Sequence, residues 1–143
     1  MKLKQLLTAI KYRAEQVPDV DITDLVYDSR KAVPGCAFVC LRGANADGHK
    51  YAKMAAEKGA AVIIAEEPVE APVPVILTDN TRLALACLSA EFFGHPAEQM
   101  HVIGITGTKG KTTTAFMMRS ILEAAGHKTG VIGTIGVLYG DTL

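Results

Sequence analysis

The run Gly104-Ile105-Thr106-Gly107-Thr108-Lys109-Gly110-Lys111-Thr112-Thr113-Thr114 constrains this chain more than any other segment. An apolar stretch, Val102 to Thr106, comes immediately before it and is expected to form a strand. A helical pattern follows from about Lys111 to Ala125, with Gly126 as its stop. A short glycine-rich turn between a strand and a helix dictates an α/β arrangement. Glycines let the backbone adopt conformations that a side chain forbids, so that successive N–H groups converge on one concavity. The helix N-terminus adds the positive end of its dipole. Such a turn suits a polyphosphate, with Lys111 reaching the β- and γ-phosphates and Thr112 offering its hydroxyl to Mg²⁺. The strict phosphate-loop pattern places a further glycine where this chain has Ile105. Here the glycines fall at Gly104 and Gly107 instead. Two alternatives stay open on the residues alone. One is an ordinary glycine-rich β–α turn with a surface lysine. The other is a dinucleotide-binding turn, which the absence of Gly-x-Gly-x-x-Gly disfavours.

The same alternation runs through the rest of the chain. Leu3, Leu6, Leu7 and Ile10 fall at helical spacing. Strands are expected at Ile22 to Tyr27, Cys36 to Leu41, Ala61 to Ala65, Val73 to Thr78 and Thr129 to Ile132. Helices are expected at Tyr51 to Lys58 and from Asp79 or Asn80, as cap, to Phe93. Arg42 to His49 reads as a loop, with two glycines, Asn45 and Asp47. The expected class is therefore α/β with a largely parallel sheet. Gly94-His95-Pro96 is the best linker candidate, which divides the chain into 1–97 and 98–143. A second piece of roughly 45 residues cannot easily bury a parallel sheet on both faces. We therefore expect the chain to be the front of a longer protein, with apolar surface exposed in its second part. A single compact domain is the alternative.

Charge excludes several functions. Lys plus Arg and Asp plus Glu number 15 each, which gives no push toward nucleic acid or an anionic membrane. The start is interrupted by Lys4, Gln5 and Lys11, so it lacks the apolar core of a secretory signal. No run is long enough to span a bilayer, and the expected place is the cytoplasm. Cys36, Cys40 and Cys87 follow no framework pattern and read as small buried hydrophobes.

Gly-x-x-Gly-Thr-x-Gly-Lys-Thr-Thr-Thr resembles the ATP loop of the Mur ligases and of the related folylpolyglutamate synthases. Asp28-Ser29-Arg30, Pro34-Gly35, Phe38, Gly43 and Asp47-Gly48-His49 follow one another as in the MurE and MurF branches. Phe92-Phe93-Gly94-His95-Pro96 and Gly130-Val131-Ile132-Gly133-Thr134 look more like the MurE branch. The resemblance implies an ATP- and Mg²⁺-dependent ligase of three domains. The first is a small α/β domain that holds the UDP end of a UDP-N-acetylmuramoyl-dipeptide. The second is a P-loop-type parallel-sheet domain for ATP, begun here, and the third takes the incoming amino acid. It implies ATP contacts at Gly107, Thr108, Lys109, Gly110, Lys111, Thr112 and Thr113. Lys111 would be the catalytic group and Thr112 the Mg²⁺ ligand. Lys109 stands where many members have asparagine. For UDP the implied residues are Tyr27, Ser29, Ala44, Asn45 and Ala46. Ser29 as a plain turn residue, and Asp28 with Arg30 as a surface ion pair, remain the alternatives there. His49 reads as a turn or packing residue. Two functional alternatives are a MurF-type ligase adding D-Ala-D-Ala and a nucleotide-binding regulatory module. The parent is expected to be a monomer, and the chain alone is expected to be inactive and prone to self-association.

Overall fold

The computed structural model describes residues 1–44 and 46–140. The contacts between residues divide the chain into two units, Met1–Met100 and His101–Leu143.

The first unit is a four-stranded sheet, all parallel, in chain order: β1 (Leu25–Val26), β2 (Ala37–Val39), β3 (Val62–Ala65) and β4 (Val75–Leu77). Helices α1 (Leu3–Leu6), α2 (Ala52–Glu57) and α3 (Thr81–Phe92) flank it. The central strands are apolar without alternation because both faces are covered. Ala37, Val39, Val62, Ile64 and Ile76 turn toward α1 and α3, where Leu3, Leu6, Leu7, Ala84 and Leu88 meet them. Phe38, Cys40, Ile63 and Ala65 turn to the other face, against Ala52 and Ala55 of α2. Two cores of this kind, separated by one sheet, make a three-layer sandwich.

The first strand is shorter than the sequence pattern suggests. Ile22 donates its N–H to the Met1 carbonyl at 2.7 Å, and Leu3 donates to Val20 at 2.9 Å. The beginning of that apolar run is therefore spent on the chain start, leaving only Leu25 and Val26 for the sheet. Asn80 caps α3, its Oδ1 accepting from the Leu83 N–H at 2.9 Å.

The second unit holds α4 (Lys111–Ala124) and an antiparallel hairpin of β5 (Gly130–Gly133) and β6 (Gly136–Tyr139). Here the structure departs from the sequence expectation. Residues 101–107, expected to contain a strand, lie outside any helix or strand. A strand needs a neighbour for its N–H and C=O groups. β5 turns back after Thr134-Ile135 and pairs with β6 instead. Arg119 ties the hairpin to α4, donating to the Gly140 carbonyl at 2.7 Å and to Glu123 at 2.8 Å. Thr129 adds a bond to the same carboxylate at 2.7 Å.

Candidate functional site

Two groups of residues stand at loops that follow strands or precede a helix, one in each unit.

In the second unit, Gly107 has φ +146° and Gly110 has φ +78°, both in the region that favours glycine. Gly110 is the N-cap of α4 and brings no side chain to the first turn. The N–H groups that open every helix lack an internal partner, and here they are left to an outside acceptor. Residues 106–114 are exposed throughout, so the turn is open rather than packed shut. The Lys111 ammonium folds back and donates to the Gly107 carbonyl across the mouth of the turn. Thr108, Lys109, Thr112 and Thr113 flank it, all solvent-exposed. The arrangement gathers backbone N–H donors, one ammonium and threonine hydroxyls, which together match an anion with many oxygens.

In the first unit, the candidates lie at the C-terminal ends of β1 and β2. In open parallel sheets that edge is where ligands bind. Tyr27 is 61% exposed, whereas Ser29 is buried in a 3₁₀ turn, Ser29–Lys31. Asp28 shapes that turn by accepting from the Arg30 N–H at 3.0 Å. Arg30 returns a forked pair to the Asp28 carboxylate, at 2.7 to 3.2 Å. This hydrogen bonding holds the Asp28 pKa down at about 2. The surface ion pair weighed as an alternative is thus formed, and Ser29 sits between its partners. Lys58, at the end of α2, donates to the carbonyls of Ser29 at 3.1 Å and Arg30 at 3.4 Å.

The Arg42–His49 loop supplies the second part. Ala44 and Ala46 are exposed, and Asn45 lies outside the described residues. Gly43 donates to the Ala46 carbonyl at 2.8 Å. Arg42 and Asp47 face each other as an isolated antiparallel bridge at the neck of the loop. A Cβ on Gly48 would stand 2.7 Å from the Leu41 nitrogen, so the chain passes there only as glycine. His49 is buried, and both its ring nitrogens are engaged.

The sequence did not single out Arg42, Glu66, Glu67 or Lys58. Arg42 reaches Asp47 at 3.6 Å, Glu66 at 3.6 Å and Glu67 at 2.7 Å. Glu66 also accepts from the backbone and hydroxyl of Thr81 at 2.9 and 3.0 Å. Those bonds, the backbone one first, hold the Glu66 carboxyl below its ordinary range. A signal was present, since charges set directly after two buried strands must find partners. Ligand atoms of Asp47, His49 and Glu67 lie within 4.8 Å of one another. Arg42 already supplies the cation in that cluster, so it is an ion-pair network rather than a metal centre.

A parallel α/β unit is followed here by a glycine-rich turn that opens a helix, the backbone arrangement that suits an anion. The chain belongs to the Mur ligase family. The family model described as Mur ligase family, catalytic domain, matches residues 21–93, and that of the Mur ligase middle domain matches 105–142. The UDP-N-acetylmuramoyl-L-alanyl-D-glutamate–2,6-diaminopimelate ligase of Bacillus licheniformis is 50% identical over 94% of this chain and 28% of that protein. The UDP-N-acetylmuramyl-tripeptide synthetase of Roseiflexus is 42% identical over 100% of this chain and 29% of its own length. The chain thus spans about 29% of the length of the curated relatives it matches. Among solved structures, MurF of Acinetobacter baumannii superposes with a TM-score of 0.70 at 36% identity, over 85% of this chain and 27% of that one. A MurF ligase of Thermotoga maritima, solved with ADP, superposes at 0.58 and 30% identity, over 71% and 23%.

Proposed function

We propose that this chain is the nucleotide-handling front of a ligase like the diaminopimelate-adding relatives. It would join an amino acid to UDP-N-acetylmuramoyl-L-alanyl-D-glutamate at the expense of ATP. The observation that carries the reading is the open turn at Gly107–Gly110 leading into an uncapped helix, with Lys111 over its mouth. The unit Met1–Met100 would hold the uridine nucleotide through Tyr27, Ser29, Ala44, Asn45 and Ala46. The unit from His101 would hold ATP through Gly107 to Thr113. MurF-type chemistry, adding D-Ala-D-Ala, is the second reading. It has the support of 36% identity to a solved MurF and stands second because the Bacillus licheniformis diaminopimelate ligase is 50% identical.

The chemistry follows from the donors. The substrate carboxylate attacks the γ-phosphorus, the bond to the β-phosphate oxygen breaks, and an acyl phosphate forms with ADP. The incoming amine then displaces phosphate and leaves an amide. Positioning and charge neutralisation dominate the first step. The Gly107–Gly110 turn would fix the phosphates by its N–H groups. Lys111 would exchange the Gly107 carbonyl for β- and γ-phosphate oxygens, and so offset charge on the transferring group. Thr112 carries a hard oxygen donor at the first helical turn, which fits Mg²⁺, and the ion would neutralise the phosphates.

Calorimetric titration tests the reading. ATP with Mg²⁺ should bind the chain, and Lys111→Ala should lose most of that affinity. Equal binding by both forms would remove the proposed role of the lysine and with it the mechanism. With little more than a quarter of the relatives' length present, we expect no amide product from this chain alone. Full-length parent protein should form product and stay monomeric. The isolated chain should self-associate through its exposed apolar side chains, read by light scattering. No described helix is long and apolar enough to cross a membrane. The proposed substrates are water-soluble nucleotides, so we place the reaction in the cytoplasm.

A further inference from the structure

We infer that His49 is a positioning residue for the uridine-nucleotide loop, acting as a neutral two-ended link between that loop and the sheet. The inference rests on the proposed reading of Ala44 and Ala46 as substrate contacts. The Glu66 backbone N–H, directly after β3, donates to His49 Nε2 at 3.0 Å. A ring nitrogen that accepts carries no proton, so the ring proton sits on Nδ1. Nδ1 then donates to Asp47 Oδ1 at 2.6 Å. The same Asp47 oxygen accepts from the His49 N–H at 3.0 Å. Asp47 in turn faces Arg42 at the other side of the loop's neck. The path therefore runs from the end of β3, through one buried imidazole, to the residue that closes the loop.

Local packing leaves that path no slack. Gly48 passes against the backbone of Cys40 and Leu41, and donates to the Leu41 carbonyl at 2.8 Å. The His49 side chain is only 4% exposed. The charged groups around it are Asp47, Arg42, Glu66 and Glu67. Each already has a partner among these, so the imidazole has no acid–base task left. Its work is geometric, and a group within hydrogen-bond reach of both ends would replace it.

Two conservative variants separate the ends of the link. In His49→Gln the amide oxygen takes the place of Nε2 and still accepts from Glu66. In His49→Asn the amide nitrogen takes the place of Nδ1 and reaches Asp47 only. The experiment measures UDP-N-acetylmuramoyl-L-alanyl-D-glutamate binding by calorimetry and hydrogen exchange at the Glu66 amide. Nitrogen-15 spectra of the His49 ring report its tautomer. Asn should weaken binding by about tenfold, the worth of one lost hydrogen bond, and speed exchange at Glu66. Gln should weaken binding as Asn does, because the tie from Nδ1 to Asp47 is cut, but should leave exchange at Glu66 near the wild-type rate, and the wild-type ring should show its proton on Nδ1. Unchanged affinity in either variant would overturn the inference, as would exchange at Glu66 that is as fast in His49→Gln as in His49→Asn. If the wild-type chain binds no substrate while Glu66 stays protected, the substrate reading of the loop fails and takes the positioning role with it. That outcome is distinct from an intact site indifferent to His49.

Discussion

The two units treat apolar side chains in opposite ways. In Met1–Met100, Phe38, Ile63, Ile64, Val62 and Leu88 are fully buried, on two faces of one sheet. In the unit from His101, no residue of α4 is buried, and Ile121 is 67% exposed. The helix starts differ in the same sense. α3 is closed by the Asn80 side chain, whereas α4 opens on a bare glycine. The first unit satisfies the start of α3 with its own side chain. The second leaves N–H donors pointing outward, which lowers its own stability and suits it to hold a ligand. A closed core and an open helix start are thus divided between the units.

The sharpest way to break this comparison is a pair of core substitutions. Phe38→Ala should cost the first unit roughly 3–5 kcal/mol, because it removes a large fully buried ring. Ile121→Ala should change stability by about 0.5 kcal/mol or less, as exposed substitutions do. Urea unfolding followed by amide signals from each unit separates the two. A cost at Ile121 near that at Phe38 would show a core in the second unit that the structure lacks. Next in size is Lys111→Ala, which should lower ATP affinity about tenfold to a hundredfold, the worth of a charge-assisted hydrogen bond. It should leave the melting temperature of the first unit unchanged.

Much of the first unit was legible in the sequence because local pattern and final environment agree there. Cys36 to Leu41 and Ala61 to Ala65 read as buried strands, and Ala37–Val39 and Val62–Ala65 are buried strands. Glycine after α2 and Asn80 before α3 marked real helix ends. Val102 to Thr106 was not legible, since an apolar run becomes a strand only where another strand takes its hydrogen bonds. β6 was likewise missed, because its pairing depends on how tightly the chain reverses after Gly133. Of the candidate site, the phosphate-loop turn was visible as glycines and a lysine at fixed spacing. The links that hold the other loop were not. Lys58 is remote in sequence from the Ser29 turn, and His49 from Glu66.

The helix starts give the next test. Asn80→Ala should cost the first unit about 1 kcal/mol, because a side chain now satisfies one orphan N–H there. Gly110→Ala should strain the second unit by roughly 1–2 kcal/mol, since φ +78° crowds a Cβ against the following carbonyl. The two costs are similar in size, but only the second should also weaken ATP binding. An Asn80→Ala variant with reduced ATP affinity would mean that the division of labour between the units does not hold.

The smallest effect lies in the Asp28 turn and depends on pH. The Asp28 pKa is held at about 2 by hydrogen bonds from Arg30, below the ordinary carboxylate value. A depressed folded-state pKa contributes stability that is present above the unfolded value and lost as pH falls through the folded one. The turn should therefore keep its tie above about pH 4 and lose it between about pH 4 and 2. Asp28→Asn removes the charge at every pH, so its melting curve should converge with that of the wild type at the acid end. The Asp28 side chain is 24% exposed and that of Arg30 is 84% exposed, and solvent screening around the guanidinium keeps such an ion pair weak, so the difference at neutral pH should be small. Curves that stay parallel down to pH 2 would mean that Arg30 does not hold this carboxylate. Ser29 would then owe its place to Lys58 and to burial alone.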